Sequence, residues 1–339
     1  MRESIFSALM LSAKHNSQNI NNFVQRVKGE KADVVTKGDI EIGDLITKIL
    51  MTTKTGVVVE SEEYGKQDNL RPGEKENFYV AIDDIDGTNN LRVGKGMLPY
   101  CSMIVAFDGR KKTEQGYKYS DYSNAACIDY SSGKIFYTEK ELGKIEVYDL
   151  YWNKISDSTE IVQDNEELAK TLSTDVVSTQ RGGTVGYADK VTNPISILPG
   201  VLDTVYRKFA VVDSGCSVFE YAMVGMGIRD GYVSSGKKQH ELPLLYAFAK
   251  ETGKEMVDFN RNSYDEKIYD FSGVDAEVIA GDSKLIDEVI AAIQMQKQAN
   301  ERVKELCRTS FVKGSTSSKN MGKEENGEKP IEAGEEVSL

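Results

Sequence analysis

Two apolar, β-branched runs in this chain end abruptly in acids. The first reads Val57-Val58-Val59-Glu60-Ser61-Glu62-Glu63, and the second Val80-Ala81-Ile82-Asp83-Asp84-Ile85-Asp86-Gly87-Thr88. Such runs, bounded by polar and Gly-containing stretches, predict strands. In layered α/β proteins, ligands gather outside strand ends. If both ends open on one site, several carboxylates come into close range, and desolvated like charges resist ionisation. A divalent cation removes that cost. The plain alternative is a solvated surface turn, because Asp-Gly is a frequent turn pair. An EF-hand is excluded. With Gly87 as its sixth residue, Ile82 would be first and Val93 twelfth, and neither side chain binds calcium.

The rest of the composition narrows the chemistry. With 339 residues the chain can form one large domain or two smaller ones. Its net charge of -12 argues against non-specific binding to nucleic acid or to anionic membrane. Only two histidines occur, His15 and His240, so a histidine-rich metal centre is hard to build. Metal ligands would be mainly oxygens, which points to Mg2+ or Mn2+ rather than zinc. Cys101, Cys127, Cys216 and Cys307 show no paired spacing, and a reducing, cytoplasmic setting is the simplest. The stretch IFSALML has the length of a signal-peptide core. However, Arg2 is offset by Glu3 and no small-residue cleavage site follows, so it reads as a helix face. No segment is long enough to span a membrane.

Periodicity predicts a helix over residues 1–28 and another over 39–50, then strands at 57–59, 77–88, 100–108, 124–139 and 144–149. Ser132-Gly133 marks a hairpin turn within 124–139. After about residue 155 strands and helices alternate: strand 174–179, helix 214–228, strand 230–234, helix 241–253, strand 276–282 and helix 283–306. Pro243 lies in the first turn of the helix at 241–253, and Gly253 marks its end. The expected organisation is an N-terminal α+β part at 1–155, a C-terminal α/β part at 156–308 and a disordered tail at 309–339. Gly87-Thr88 adds a turn where backbone N–H groups can hold phosphate. Two metal ions about 3.5–4 Å apart beside it would suit in-line phosphoryl hydrolysis.

The stretches DVVTKGD (33–39), SEEYG (61–65) and DDIDGT (83–88), in this order, resemble the inositol monophosphatase/fructose-1,6-bisphosphatase superfamily of metal-dependent phosphatases. SGKIFYTEKELGKIEV (132–147) and SGCSVFEYAMVGMGIRDGYV (214–233) extend the resemblance. It implies an alternating α-β-α-β-α sandwich with two or three Mg2+ ions, Mn2+ being the alternative. Carried over residue by residue, Glu62, Asp83 and Asp86 would be metal ligands, joined by the Ile85 carbonyl, with Glu63 beside them. Asp39 and Thr88 would activate the attacking water. Gly87 and Thr88 would hold phosphate through their N–H groups, with Ser217 and Lys238 on the substrate side. The family's late Trp-Asp falls on His240-Glu241, making Glu241 a ligand of the second metal. The alternative is that Glu241 is simply an acid at a helix start. His240 would pack or line the substrate.

The sequence also departs from that pattern. Asp84 replaces a proline and reads either as a group supporting the metal ligands or, the preferred reading, as an acid that points to solvent. Val212 stands where many members carry Arg, with Arg207 and Lys208 just upstream. Ser234 stands where inositol-specific members carry Glu. Lys237-Lys238 either attracts an anionic substrate or belongs to a solvated loop. The tyrosines of 117–122 read as loop or surface packing. VGKGMLP (93–99) lacks the third glycine of a nucleotide loop. The expected function is a Mg2+-dependent phosphatase that hydrolyses a small sugar or inositol phosphomonoester with a metal-activated water. Within the superfamily the alternatives are a fructose-1,6-bisphosphatase or a 3'-phosphonucleotide phosphatase. From another class, the alternative is a non-catalytic relative that binds phosphate ligands. A small phosphorylated substrate is the expected partner, and the resemblance implies a homodimer.

Overall fold

The computed structural model describes residues 1–28, 35–160, 170–174, 209–274 and 276–316. Helix α1 (Arg2–Phe23) buries Ile5, Phe6, Leu9 and Phe23. It stops five residues before the expected end at 28, because the chain turns into β1 (Arg26–Lys28), which pairs with β2 (Val35–Thr36). Helix α2 (Lys37–Thr53) starts at a capping box in which Thr36 and Asp39 satisfy each other's end of the first turn.

Eight strands make the first sheet: β3 (Val57–Ser61), β4 (Gly65–Asp68), β5 (Phe78–Asp86), β6 (Cys101–Asp108), β7 (Tyr122–Asp129), β8 (Lys134–Glu139), β9 (Glu146–Tyr148) and β10 (Lys154–Asp157). Their order is β10-β9-β8-β7-β6-β5-β3-β4. Only β3 and β5 run parallel, and this puts the ends of both acidic runs side by side at the same end of the sheet. The short helix α3 (Thr88–Gly94) follows β5 directly.

The second sheet holds β11 (Lys170–Thr174), β12 (Phe209–Val212), β13 (Gly231–Lys237), β14 (Glu255–Val257) and β15 (Ala276–Gly281), in the order β12-β11-β13-β15-β14. Between the sheets lie α4 (Ser217–Gly225) and α5 (Leu242–Glu251). Helix α6 (Ser283–Thr316) closes the stack through Leu285, Ile286, Val289 and Ile293. Buried clusters follow these layers. One joins α1 and α2 to the first sheet, one joins α4 and α5 to both sheets, and one joins the start of α6 to the second sheet. The architecture is therefore the α-β-α-β-α sandwich. Met1–Gln296 forms one compact unit, and Lys297–Leu339 a second.

Three further expectations change. The tyrosines Tyr117, Tyr119 and Tyr122 are core residues, not surface packing. Tyr117 stacks on Tyr79, and its hydroxyl is matched by Glu76, which removes the penalty for burying it. The boundary at 309 falls inside α6, which runs to Thr316, because extending a helix past one glycine costs only about 1 kcal/mol. Helix α4 starts at Ser217 rather than 214. Of the strand expected at 174–179 only Thr174 lies within the described residues; Arg207, Lys208 and 317–339 lie outside them.

Candidate functional site

The acidic end of β5 is shaped by a bulge. Asp83 sits opposite Met103 on β6, while Asp86 sits opposite Cys101, so three residues on one strand span two on the other. In a regular strand Asp83 and Asp86 would point to opposite faces. The extra residue returns both to the face that carries α4 and α5, and sends Asp84 and Ile85 to the α1–α2 face.

Asp84 is thus not solvent-facing but 1% exposed. It accepts hydrogen bonds from the Ser61 hydroxyl at 2.7 Å and from the Glu63 N–H at 3.1 Å. Gly43 of α2 makes room for it: a Cβ there would lie 2.3 Å from Asp84 Oδ1. Burial, reinforced by Asp83 and opposed by Ser61, pushes the Asp84 carboxyl well above the usual range. Asp84 therefore ties the β3 end to β5 and α2.

Asp83 and Asp86 meet residues from the second half of the chain. Oxygens of Asp83, Asp86 and Glu241 lie within 4.8 Å of one another, as do ligand atoms of Glu62, Asp83 and His240. Asp83 is common to both sets, and Glu63 belongs to neither. Asp83 Oδ1 is buried with no hydrogen-bond partner among the described residues. Burial raises the Asp83 carboxyl to about 6, and pushes Asp86 well above its usual value, with Glu241 adding to the effect. Buried, crowded carboxylates with an orphaned oxygen fit a divalent cation, which would remove the repulsion and fill the missing contact.

Positive groups partly compensate already. Lys237, at the end of β13, is 3% exposed, so it does not lie in a solvated loop. Its ammonium lies 2.6 Å from Glu241 Oε2 and donates to the Ser217 hydroxyl at 2.5 Å. Lys238 pairs with Glu62 at 2.5 Å. Burial alone would favour neutral Glu62, but His240, Lys238 and Lys237 outweigh it and hold the carboxyl below its usual value. His240 stacks on Phe271, and burial would lower its pKa. Asp83, Glu62 and Glu241 overcome that and raise it to about 9. Glu241 and His240 sit in a short 3-10 turn, Gln239–Glu241, that leads into α5.

Next to these carboxylates lies a hydroxyl–carboxylate pair. Thr88 Oγ donates to Asp39 Oδ1 at 2.9 Å, with the Ile85 carbonyl 3.1 Å away. The other Asp39 oxygen accepts from the Thr36 N–H and hydroxyl, so the capping box aims the carboxyl. Burial raises Asp39 to about 6 despite the bonds from Thr36 and Thr88. Gly87 has φ +84°, and a Cβ there would press on the Pro99 carbonyl at 3.1 Å. Asp86 Oδ2 accepts the Val218 N–H at 2.6 Å, fastening β5 to the start of α4, where Ser217 is the first residue. Asn90, which the sequence did not single out, bonds the carbonyls of Pro99 and Ser214 and ties α3 to the turn before α4.

Solved structures share this fold at low identity. The extragenic suppressor protein suhB of Bartonella henselae superposes with a TM-score of 0.63 at 14% identity, covering 86% of this chain and 97% of its own. An inositol monophosphatase from Anabaena gives 0.58 at 16%, covering 86% and 96%. SaIMPase-II with inositol monophosphate bound gives 0.57 at 13%, covering 90% and 97%. No curated protein sequence matches the chain significantly. The family model described as the inositol monophosphatase family matches residues 3–299, nearly all of the described chain. With that match on top of the shared fold, the chain belongs to the inositol monophosphatase family.

Proposed function

We propose that this protein is a divalent-cation-dependent phosphatase acting on a small sugar or inositol phosphomonoester. The observation that carries the reading is the Thr88–Asp39 hydrogen bond at 2.9 Å, made on the turn that directly follows Asp83 and Asp86. Glu62, Asp83, Asp86 and Glu241 would hold the cations, with Mg2+ the first choice for the oxygen donors and Mn2+ the alternative. Bound there, a cation would screen the phosphoryl charge and lower the pKa of the attacking water.

The chain's own groups do the rest. While the Thr88 hydroxyl donates to Asp39, its oxygen is free to accept a proton from water. As that water attacks phosphorus and the bond from phosphorus to the ester oxygen breaks, Thr88 takes the water's proton and passes its own to Asp39, while the departing alkoxide takes a proton from solvent and leaves as the alcohol. An acceptor with a pKa near 6 is well placed for this at neutral pH. Val218 and Cys216 hold Asp86 in place across the chain, so the carboxylate needs no reorganisation on ligand binding. Lys238, paired with Glu62 at the edge of the site, supplies positive charge for an anionic substrate.

Two features bear on the substrate. Ser234 is fully buried where inositol-specific relatives place a glutamate, which favours a sugar phosphate over inositol phosphate. SaIMPase-II, a relative by fold, has been crystallised both with inositol monophosphate and with 2'-AMP, which supports a panel wider than inositol. The panel should include inositol 1-phosphate, fructose 1,6-bisphosphate, sugar monophosphates and phosphonucleotides. A second reading, a non-catalytic ligand-binding relative, draws on the Lys237–Glu241 pair, which already matches one carboxylate of the second set. Phosphate release from the panel, with the ions removed by chelation and then restored, separates the two. Metal-dependent turnover on any substrate supports the enzyme, and none on all of them supports the binder.

A further inference from the structure

We propose that Glu62, Asp83 and His240 form a mixed nitrogen–oxygen site for a transition-metal dication of the Zn2+, Co2+ or Mn2+ class, with His240 Nε2 as a direct ligand. The proposal rests on the phosphatase reading only in taking Glu62 and Asp83 as ion ligands. The sequence alone, with its two histidines, pointed to oxygen ligands; the placement of His240 alters that for one of the two sets.

His240 is 4% exposed, and its Nε2 is buried without a hydrogen-bond partner among the described residues. Three carboxylates surround this nitrogen without any of them making a hydrogen bond of good geometry to it, so the position it faces can take another partner. Nε2 lies 3.5 Å from Glu62 Oε2 and 3.6 Å from Asp83 Oδ2. Those separations are long for charge-assisted hydrogen bonds, which fall at about 2.7–2.9 Å. They suit ligands of one ion, because atoms about 2.1 Å from a tetrahedral centre stand about 3.4 Å apart. Glu241 Oε1 follows at 3.8 Å. Asp83 Oδ1, also unmatched, lies on the same carboxylate.

The ring is held independently of any ion. Phe271 stacks on it with centroids 5.4 Å apart, and the 3-10 turn fixes the backbone where α5 begins. A ligand held this way keeps its aim when the ion leaves. Imidazole favours borderline ions, whereas Mg2+ favours oxygen alone. The second set, Asp83, Asp86 and Glu241, offers only oxygens. The two sets share Asp83 but differ in the ion they prefer. The competing arrangement is a charged imidazolium that neutralises Glu62 and Asp83 in place of an ion.

The test is direct metal binding to the full-length, metal-free protein and to its His240→Phe variant, where Phe keeps the stack on Phe271 and removes the nitrogen. Titration calorimetry should show Co2+ and Zn2+ binding weakened by at least the roughly 10–100-fold that loss of a group supporting a metal ligand typically costs, because here a direct ligand is removed. Mg2+ binding should change less than threefold. The visible absorption of bound Co2+ should weaken in step. Unchanged Co2+ affinity and spectrum in a folded variant would overturn the proposal. If the variant fails to fold, pulsed EPR of wild-type protein loaded with Mn2+ decides: a directly bound nitrogen supports the site, and none overturns it. Neither readout involves phosphate release, so the site can stand if the phosphatase reading fails, and the reverse also holds.

Discussion

Lys237 carries an ammonium group into a place that water barely reaches, and Glu241 is its counter-charge. Breaking a buried pair by removing one partner costs about 3–5 kcal/mol, because the other charge is left uncompensated. Lys237→Met should therefore lower stability in urea by that order when ions are absent, and Mg2+ should restore part of the loss by taking over the charge on Glu241. A variant as stable as wild type in chelator would show that Glu241 does not need this partner. Asp39 gives a pH prediction. Its folded pKa is raised to about 6 by burial, so below that value it holds a proton and cannot take the one from Thr88. The rate with ions present should rise with pH through a midpoint at or below about 6, since nearby cations lower it, and then level off. A rate that falls as pH rises from 5 to 7 would contradict that role. Replacing Asp39 by Asn should remove this acid limb along with most of the activity.

The acids of β3 and β5 were legible because their carrier strands are β-branched runs with plain polar ends. The bulge between Asp83 and Asp86 was not, because it depends on the register with β6, which sequence spacing along β5 does not record. For the same reason Asp84 was assigned to solvent. Its true partners, Ser61 on β3 and Gly43 on α2, lie on other elements. This gives a prediction about packing between elements. Gly43→Ala places a methyl against Asp84 and should cost about 1–3 kcal/mol, as overpacked cores do. In an Asp84→Ala background the same change should cost much less, because the clashing oxygen is gone. Equal costs in both backgrounds, read from urea unfolding, would mean that Asp84 is not where β5 and α2 meet.

Across the whole molecule, the layered sandwich was legible from the switch between strand-rich and alternating segments, together with the ordered motifs. The burial of the tyrosines of 117–122 was not, because their hydroxyls made them look like surface groups until Glu76, Gln239 and Glu251 were seen to accept from them. The convergence of Glu62 and Asp83 with His240 and Glu241 joins segments more than 150 residues apart, and only the fold brings them together. The proposed standing of Glu241 in place of the family's aspartate belongs at this scale too. Asp86→Asn should abolish ion-dependent turnover, while Glu241→Asp, which keeps the carboxylate, should retain or raise it. If Glu241→Ala leaves rate and Mg2+ dependence unchanged, the second half of the chain does not complete the site. The most direct measurement of the central claim is release of inorganic phosphate by the wild-type protein from a panel of small phosphomonoesters, stripped of metal and then given Mg2+ or Mn2+. The account predicts turnover of at least one substrate that appears only when the ion returns. Turnover that is indifferent to chelation, or no turnover on any substrate with either ion, would contradict it.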